Sequence, residues 1–181
     1  MHKNMLRFQF DEKKGVEALT YIASQWDGIT PFFASKVLFF AEKWHLNRYA
    51  RAIVGDTFIA MPNGPVPSTL YDFIKGNLDH AGDPQAFILA LNIERGQFAK
   101  VRARRAADME VLSASDVECL DEAILFCRSR SFEVLSNLTH QERAWSEAPA
   151  NGQMDYDAMI EDANRAAVSE QAREFAAYGV L

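Results

Sequence analysis

Residues 57–74 read TFIAMPNGPVPSTLYDFI, and the arrangement of the whole chain turns on this stretch. Thr57 to Met61 alternates with the period of two that a pleated strand imposes. Ile59 and Met61 face one way, Phe58 and Ala60 the other. Pro62, Pro65 and Pro67 forbid both a continued ladder and a helix, since each lacks the N–H that either would use. Asn63-Gly64 supplies a pair that tolerates positive φ. From about Pro67 a helix begins, with Leu70, Phe73, Ile74 and Leu78 on its buried side and Tyr71 beside them. The stretch is a strand–turn–helix corner, and no residue in it has the character of a catalyst.

Upstream, Val16, Leu19, Ala23 and Trp26 are spaced as one face of a first helix, which Asp27-Gly28 ends. Thr30 is an N-cap and Pro31 suits the first helical position, where a missing N–H costs nothing. The second helix runs to about Asn47. Phe33, Val37, Phe40 and Trp44 form its buried stripe, and Phe32 and Phe39 add another apolar face. A helix touched from two sides is central. Ala52-Ile53-Val54 with Gly55-Asp56 reads as a short extended piece and a turn.

Downstream, Asp79 to Gln85 reads as a polar loop. A hairpin is expected next, Phe87–Ile93 and Phe98–Ala103, joined through Gly96. Its first strand is apolar on both faces, which implies cover on both. Its second alternates Ala99, Val101 and Ala103 with Lys100, Arg102 and Arg104, and Arg105 follows. That strand should present a basic face to solvent, either as an edge charged against aggregation or as a docking face for an acidic partner.

Ser115-Asp-Val-Glu118 reads as a capping box, opening a helix with Val117, Leu120, Ile124 and Cys127 inward. Ser131 can cap a short helix carrying Phe132, Leu135 and Leu138. Thr139-His-Gln-Glu142 reads as a second box, leading to Trp145 and stopping at Pro149. Asp155 can cap a last helix with Tyr156, Met159 and Ile160 on one face. The expected fold is α+β and mainly α: six or seven helices around the 32–44 helix with a small antiparallel sheet or hairpin. Residues 1–164 form one domain and 165–181 a helical or frayed tail.

The 181 residues carry 19 Lys and Arg against 25 Asp and Glu, a formal charge of −6. Affinity for phosphate backbones comes from counterion release by a basic surface, so this balance argues against nucleic acid as the main partner. A nucleic-acid-binding regulator using the 100–105 strand is the alternative reading. The start, MHKNMLRFQFDEKKG, has no apolar leader, and no window reaches the ~18 apolar residues of a membrane span. Cys119 and Cys127 lie eight apart on one helix, ~12 Å along its axis and too far to bridge. Two reduced thiols suit the cytoplasm.

Sites of chemistry are sparse. There is no glycine-rich phosphate loop and no Gly-x-Ser-x-Gly elbow. His2, His45, His80 and His140 show no metal-ligand spacing. His140-Gln-Glu142 matches half of a zinc deaminase signature, but both cysteines lie upstream and are not two apart. Asp155-Tyr-Asp157 is better explained by a helix dipole than by a cation. No cofactor or metal is expected, and a hydrolase or metal enzyme is the least supported class.

One ordered set of motifs remains. Pro31 opens a helix whose Lys36-Val-Leu-Phe-Phe40-Ala-Glu is like a "KLLYFA" core. The 57–61 strand, Gly64-Pro65-Val66, Leu70-Tyr71, and Leu138-Thr-His140 with Trp145 follow in sequence. In this order the chain resembles the Panacea-domain, or SocA-like, antitoxins, over roughly residues 14 to 162. It departs from them at Asn63, where an aromatic is common, and in the tail beyond Asn164. The resemblance implies a non-enzymatic antitoxin of a bacterial or phage toxin–antitoxin pair that neutralises a cognate protein toxin by direct binding. It leaves open delivery of the toxin to an energy-dependent protease, and homo-oligomer formation. Pro31, Lys36, Gly64, Pro65, Val66, Leu70, Tyr71, His140 and Trp145 are then structural motif residues. Lys100, Arg102, Arg104 and Arg105 are the candidate partner contacts.

Overall fold

The structure is a computed structural model that describes residues 4–179. Among these are eight α-helices and two antiparallel two-stranded sheets, so the fold is mainly α with a small β component. Helix α1 spans Glu12–Gln25 and α2 spans Pro31–Tyr49. Thr30 Oγ1 accepts from Phe33 N and Pro31 fills the first turn, as the local chemistry predicts. Helix α2 lies at the centre, with Ala34, Val37, Leu38, Phe39 and Ala41 fully buried. Helix α5 (Ala114–Arg128) packs most extensively against it.

The decisive corner forms a hairpin where a proline turn was expected to end the ladder. Strand β1 (Phe58–Met61) pairs with β2 (Gly64–Pro67), placing Ala60 opposite Pro65 and Phe58 opposite Pro67. Opposed pairs in an antiparallel ladder alternate between hydrogen-bonded and non-bonded. Ser68 N donates to Thr57 O, so the prolines fall at the non-bonded pairs, where no ladder N–H is needed. The other edge of β1 is taken by the 151–154 segment: Ala60 N donates to Gly152 O and Met154 N to Phe58 O. Gly64 (φ +101) closes the turn, whereas Asn63 stays at negative φ. Helix α3 (Ser68–Lys75) follows, and its first amides are capped from a distance. The buried Asp56 carboxylate accepts from Thr69 N and Leu70 N, at 3.1 and 2.9 Å.

Other expectations need correction. Residues Pro84–Ala90 form helix α4, and the strands of the second hairpin are only β3 (Leu91–Glu94) and β4 (Lys100–Ala103). The Asp83 side chain accepts from Ala86 N and Pro84 occupies the first turn, a start signal that outweighs the apolar run after it. Phe87 and Ala90 face inward at helical spacing, while Ile88 and Leu89 are exposed. The capping box of α5 is Ser113–Asp116, two residues earlier than Ser115–Glu118, because buried Asp116 also takes a salt bridge from Lys14 at 2.9 Å. Thr139 is no cap: it lies within helix α6 (Phe132–His140), where its hydroxyl donates to Ser136 O. Helix α7 (Arg143–Ser146) starts without a side-chain cap, since the Glu142 carboxylate is held by Lys43. Asp155 does cap Tyr156–Met159, but as a single 3-10 turn.

Helix α8 (Arg165–Tyr178) lies against α2 and is mostly exposed; Ala172 is its buried residue. Its polar anchor is Asp157, 2% exposed. Arg165, Ser169 and Arg173, spaced by four along one stripe of α8, all reach this carboxylate. No helix among the described residues is long and apolar enough to cross a membrane. Val180 and Leu181, the end of the tail, lie outside the described residues.

If this ionic anchor holds α8 down, Asp157→Ala should raise hydrogen exchange of the 165–178 amides at least roughly tenfold while α2 amides keep their protection. Unchanged exchange in α8 would show that the apolar contact at Ala172 suffices.

Candidate functional site

Most of the motif residues meet at the tip of the β1–β2 hairpin. Lys36, on the second turn of α2, is 1% exposed and lies under β2. Its Nζ donates to Pro65 O at 3.0 Å and sits 4.6 Å from the Phe32 ring centroid. Pro65 belongs to a non-bonded ladder pair, so its carbonyl points off the free edge of the hairpin. Lys36 thus supplies a donor that a third strand would otherwise provide. Burial drives the Lys36 amine down to about 7.

The opposite side of the tip is held by α6 and α7. His140 Nε2–H donates to Pro62 O at 2.9 Å, and Trp145 Nε1–H donates to Met61 O at 3.0 Å. The two rings stack with centroids 4.0 Å apart. Gly64 is enclosed between the two supports. A Cβ there would overlap Thr139 Oγ1 and approach Lys36 Cε to 2.9 Å. Leu70 is buried in α3, and half-buried Tyr71 carries Lys75 Nζ 4.9 Å from its ring centroid. Pro31 is half-buried at the start of α2. Val66 is half-buried in β2, opposite Ile59.

The basic strand is solvent-facing, with Val101 inward. Its four cations are not equivalent. Arg102 is bracketed by Asp27 at 2.5 Å and Glu94 at 2.7 Å. Arg105 forms a two-pronged pair with Glu17 at 2.5 and 2.8 Å. Burial alone would raise the Glu17 carboxyl, yet Arg105 and the Asp108 N–H hold it below its usual range. Arg104 bonds Leu91 O and Asn92, and Lys100 is exposed. Asp27 and Glu17 lie more than seventy positions from their arginines, and no local pattern announces those pairs.

Sequence reasoning also missed Glu42. It is fully buried in α2 and accepts three backbone N–H bonds, from Ile53 at 2.5 Å and from Val54 and Gly55 at 2.9 Å. Burial pushes it up to about 7 against those three donors. The one signal was an acidic residue within an apolar helical run. Cys119 and Cys127 are free and buried, and burial pushes them up to about 11 and about 12.

A cleft of about 770 Å³ lies between α1, α4 and residues 105–108. Its carboxylates are engaged: Glu12 accepts from Gly82 N and Asp83 N, and Glu17 from Arg105 and Asp108 N. Among the described residues, no group of three His, Cys, Asp or Glu is placed to hold a metal.

Residues 35–146, more than half of the chain, match the model of the family described as "Antitoxin SocA-like, Panacea domain". The matched span contains the whole hairpin clamp, from Lys36 to Trp145, and the basic strand; it leaves out α1 and α8. No curated protein and no solved structure matches the chain.

Two outcomes follow from the clamp. Gly64→Val adds a Cβ where neighbours already touch, at a φ that β-branched residues avoid, and should cost about 3 kcal/mol in urea denaturation. A loss below about 1 kcal/mol would mean that the turn yields. The second outcome concerns pH. The folded Lys36 amine loses its proton near pH 7, against an ordinary value of 10.5, so above pH 7 the unfolded chain holds the extra proton. Stability then rises with pH, by up to about 1.4 kcal/mol per unit, and below pH 7 the full burial cost is present. The stability of wild type relative to Lys36→Met should therefore climb from pH 7 to 9. A flat difference would sink the assignment.

Proposed function

This chain belongs to the SocA-like antitoxin, Panacea-domain family, and from that premise we propose that it is the antitoxin of a toxin–antitoxin pair. It neutralises its toxin in the cytoplasm by direct protein–protein contact and not by catalysis. The observation that carries this reading is the family match across the entire clamp, together with the use to which the clamp puts its polar residues. Lys36 is spent on Pro65 O, His140 on Pro62 O and Trp145 on Met61 O. A nucleophile or general base must reach a substrate, and Lys36 and Glu42 are sealed inside the fold. The motif builds a rigid support, which suits a binding module.

Two modes of neutralisation fit a binding module: covering the toxin's active surface, or presenting the toxin to an energy-dependent protease. Nucleic-acid binding through β4 and the residues that follow it, 100–105, is less favoured, because Arg102 and Arg105 are already neutralised by carboxylates. Phosphate binding would have to break those pairs.

Co-expression with the open reading frame adjacent to this chain's own tests the proposal. The neighbour alone should arrest growth, and this chain should restore it. A harmless neighbour, or one that stays toxic beside this chain, would remove the antitoxin reading. A toxin level that falls only when this chain and the protease are both present indicates delivery; a constant level indicates blocking.

A further inference from the structure

We propose that the toxin docks on a row of aromatic rings at the start of α2, the end of α5 and the start of α6, and that it offers there a large apolar side chain flanked by carboxylates. This rests on the antitoxin reading above. The row is continuous. Phe132 lies over Phe32 with centroids 4.2 Å apart, Phe32 meets Phe33 at 5.2 Å, and Phe33 meets Trp26 at 5.2 Å. Phe132 is 43% exposed, and the other three rings are only half-buried. Leu125, 70% exposed, stands on α5 one turn before Arg128, whose guanidinium lies 5.6 Å from the Trp26 ring centroid.

Scattered exposed apolar residues are ordinary, but a connected aromatic row on a monomer marks an interaction surface. Trp, Phe and Arg are the residues that interface cores concentrate, and they carry most hot-spot energy. These rings are also fixed in advance by one another, so little side-chain freedom remains to be lost on binding. Phe32 serves the clamp as well, since Lys36 Nζ sits against its ring. The row is therefore anchored to the hairpin and does not lie on a mobile loop.

Charge selects the occupant. Among the described residues Arg128 bonds only the Gln25 carbonyl, at 3.4 Å. Arg130, in the α5–α6 loop, bonds Phe126 O and Ser129 Oγ with its guanidinium 3.6 Å over the Phe126 ring. Neither meets a carboxylate among the described residues, whereas Arg48, Arg102, Arg105, Arg143, Arg165 and Arg173 each do; Arg7, Arg51, Arg95 and Arg104 also lack one but do not adjoin the row. The loop that carries Trp26 also runs along β4, where Val101 N donates to Ile29 O, and exposed Lys100 adjoins it. On a chain of net charge −6, Arg128, Arg130 and Lys100 outnumber the one acid beside Phe132, exposed Glu133, so the rim around the apolar centre is net cationic. Such a rim complements an acidic partner, speeds its encounter and fixes its register.

The test uses the purified chain and, as probe, the purified product of the adjacent open reading frame, with affinity and rates measured at low and physiological salt. Phe132→Ser and Leu125→Asp should each weaken binding at least roughly tenfold. Arg128→Glu combined with Arg130→Glu should do the same, mainly through a slower association that no longer depends on salt. Arg128 bonds the Gln25 carbonyl and Arg130 the Phe126 carbonyl, so this double variant should melt below wild type yet stay folded at the assay temperature, and Arg128→Gln combined with Arg130→Gln should slow association in the same way. Lys75→Glu on α3, outside the row, should bind as wild type does. If wild type binds and rescues growth but every row variant matches it within about twofold, the toxin docks elsewhere and the antitoxin reading stands. Should wild type neither bind nor rescue, both readings fall. A dimer of the chain alone that Phe132→Ser dissociates, with toxin binding intact, would make a second copy the occupant and overturn the proposal. Loss of salt-sensitive DNA binding in the arginine variant, again with toxin binding intact, would overturn it in favour of nucleic acid.

Discussion

Helix α2 has to bury three ionisable side chains, and the rest of the structure is arranged to receive them. Lys36, Glu42 and His45 are each within 1% of full burial. A buried polar group without a partner costs several kcal/mol, on the order of what holds a domain together. Each therefore fastens a different segment. Lys36 takes the Pro65 carbonyl of β2. Glu42 gathers the three amides of residues 53–55. His45 Nδ1–H donates to Arg51 O at 2.8 Å, while its Nε2 faces Ser115 Oγ and Asp116 at the start of α5. Apolar contacts alone tolerate sliding, because Leu, Phe and Val pack in many registers. These directional bonds tolerate none, and they place the hairpin, the 53–55 turn and α5 relative to one helix.

The same logic separates what was legible in the sequence from what was not. Self-contained local signals read correctly. Thr30-Pro31 opens α2, Ser131 caps α6, and Asp155 caps the turn that follows it. Errors arose where a distant partner claimed the residue. Both Ser113 and Ser115 are followed three positions on by an acid; Asp116 wins because Lys14 and Ser113 N converge on it. Glu142 leaves a plausible box for Lys43. The basic strand looked uniformly available, yet Asp27 and Glu17 reach it across the fold. The run Phe87–Ala90 could have been strand or helix by hydrophobicity alone, and the Asp83-Pro84 start decided it. As for the prolines of β2, composition cannot reveal that they fall only at ladder positions needing no N–H.

The candidate site was half legible for the same reason. Lys36, Gly64, His140 and Trp145 stood out by resemblance as parts of one motif, but their roles are contacts between elements far apart in the chain. His140 and Trp145 act on backbone carbonyls, and no side-chain spacing encodes a carbonyl. The half-buried rings of the row were legible only as core. Phe32, Phe33 and Trp26 have helical spacing that suits burial, and exposure depends on how far α5 and α6 extend over them.

Scaffold and proposed partner surface thus sit on different faces of one helix. Most of the residues through which the chain resembles its family, Lys36, Gly64, Pro65, Leu70, His140 and Trp145 among them, point inward or onto the hairpin, and they specify a shape without naming what that shape binds. The first turn of α2 is half-buried and carries Phe32 and Phe33 into the aromatic row. Phe32 belongs to both faces: one side of its environment is the Lys36 amine, the other the Phe132 ring. A ring held at both ends keeps one orientation, so the surface offered to a partner inherits the rigidity of the clamp. Binding energy at such a surface is not spent on ordering side chains. If the toxin docks as proposed, a change of partner requires new residues on the row and its rim, while the buried clamp can stay as it is.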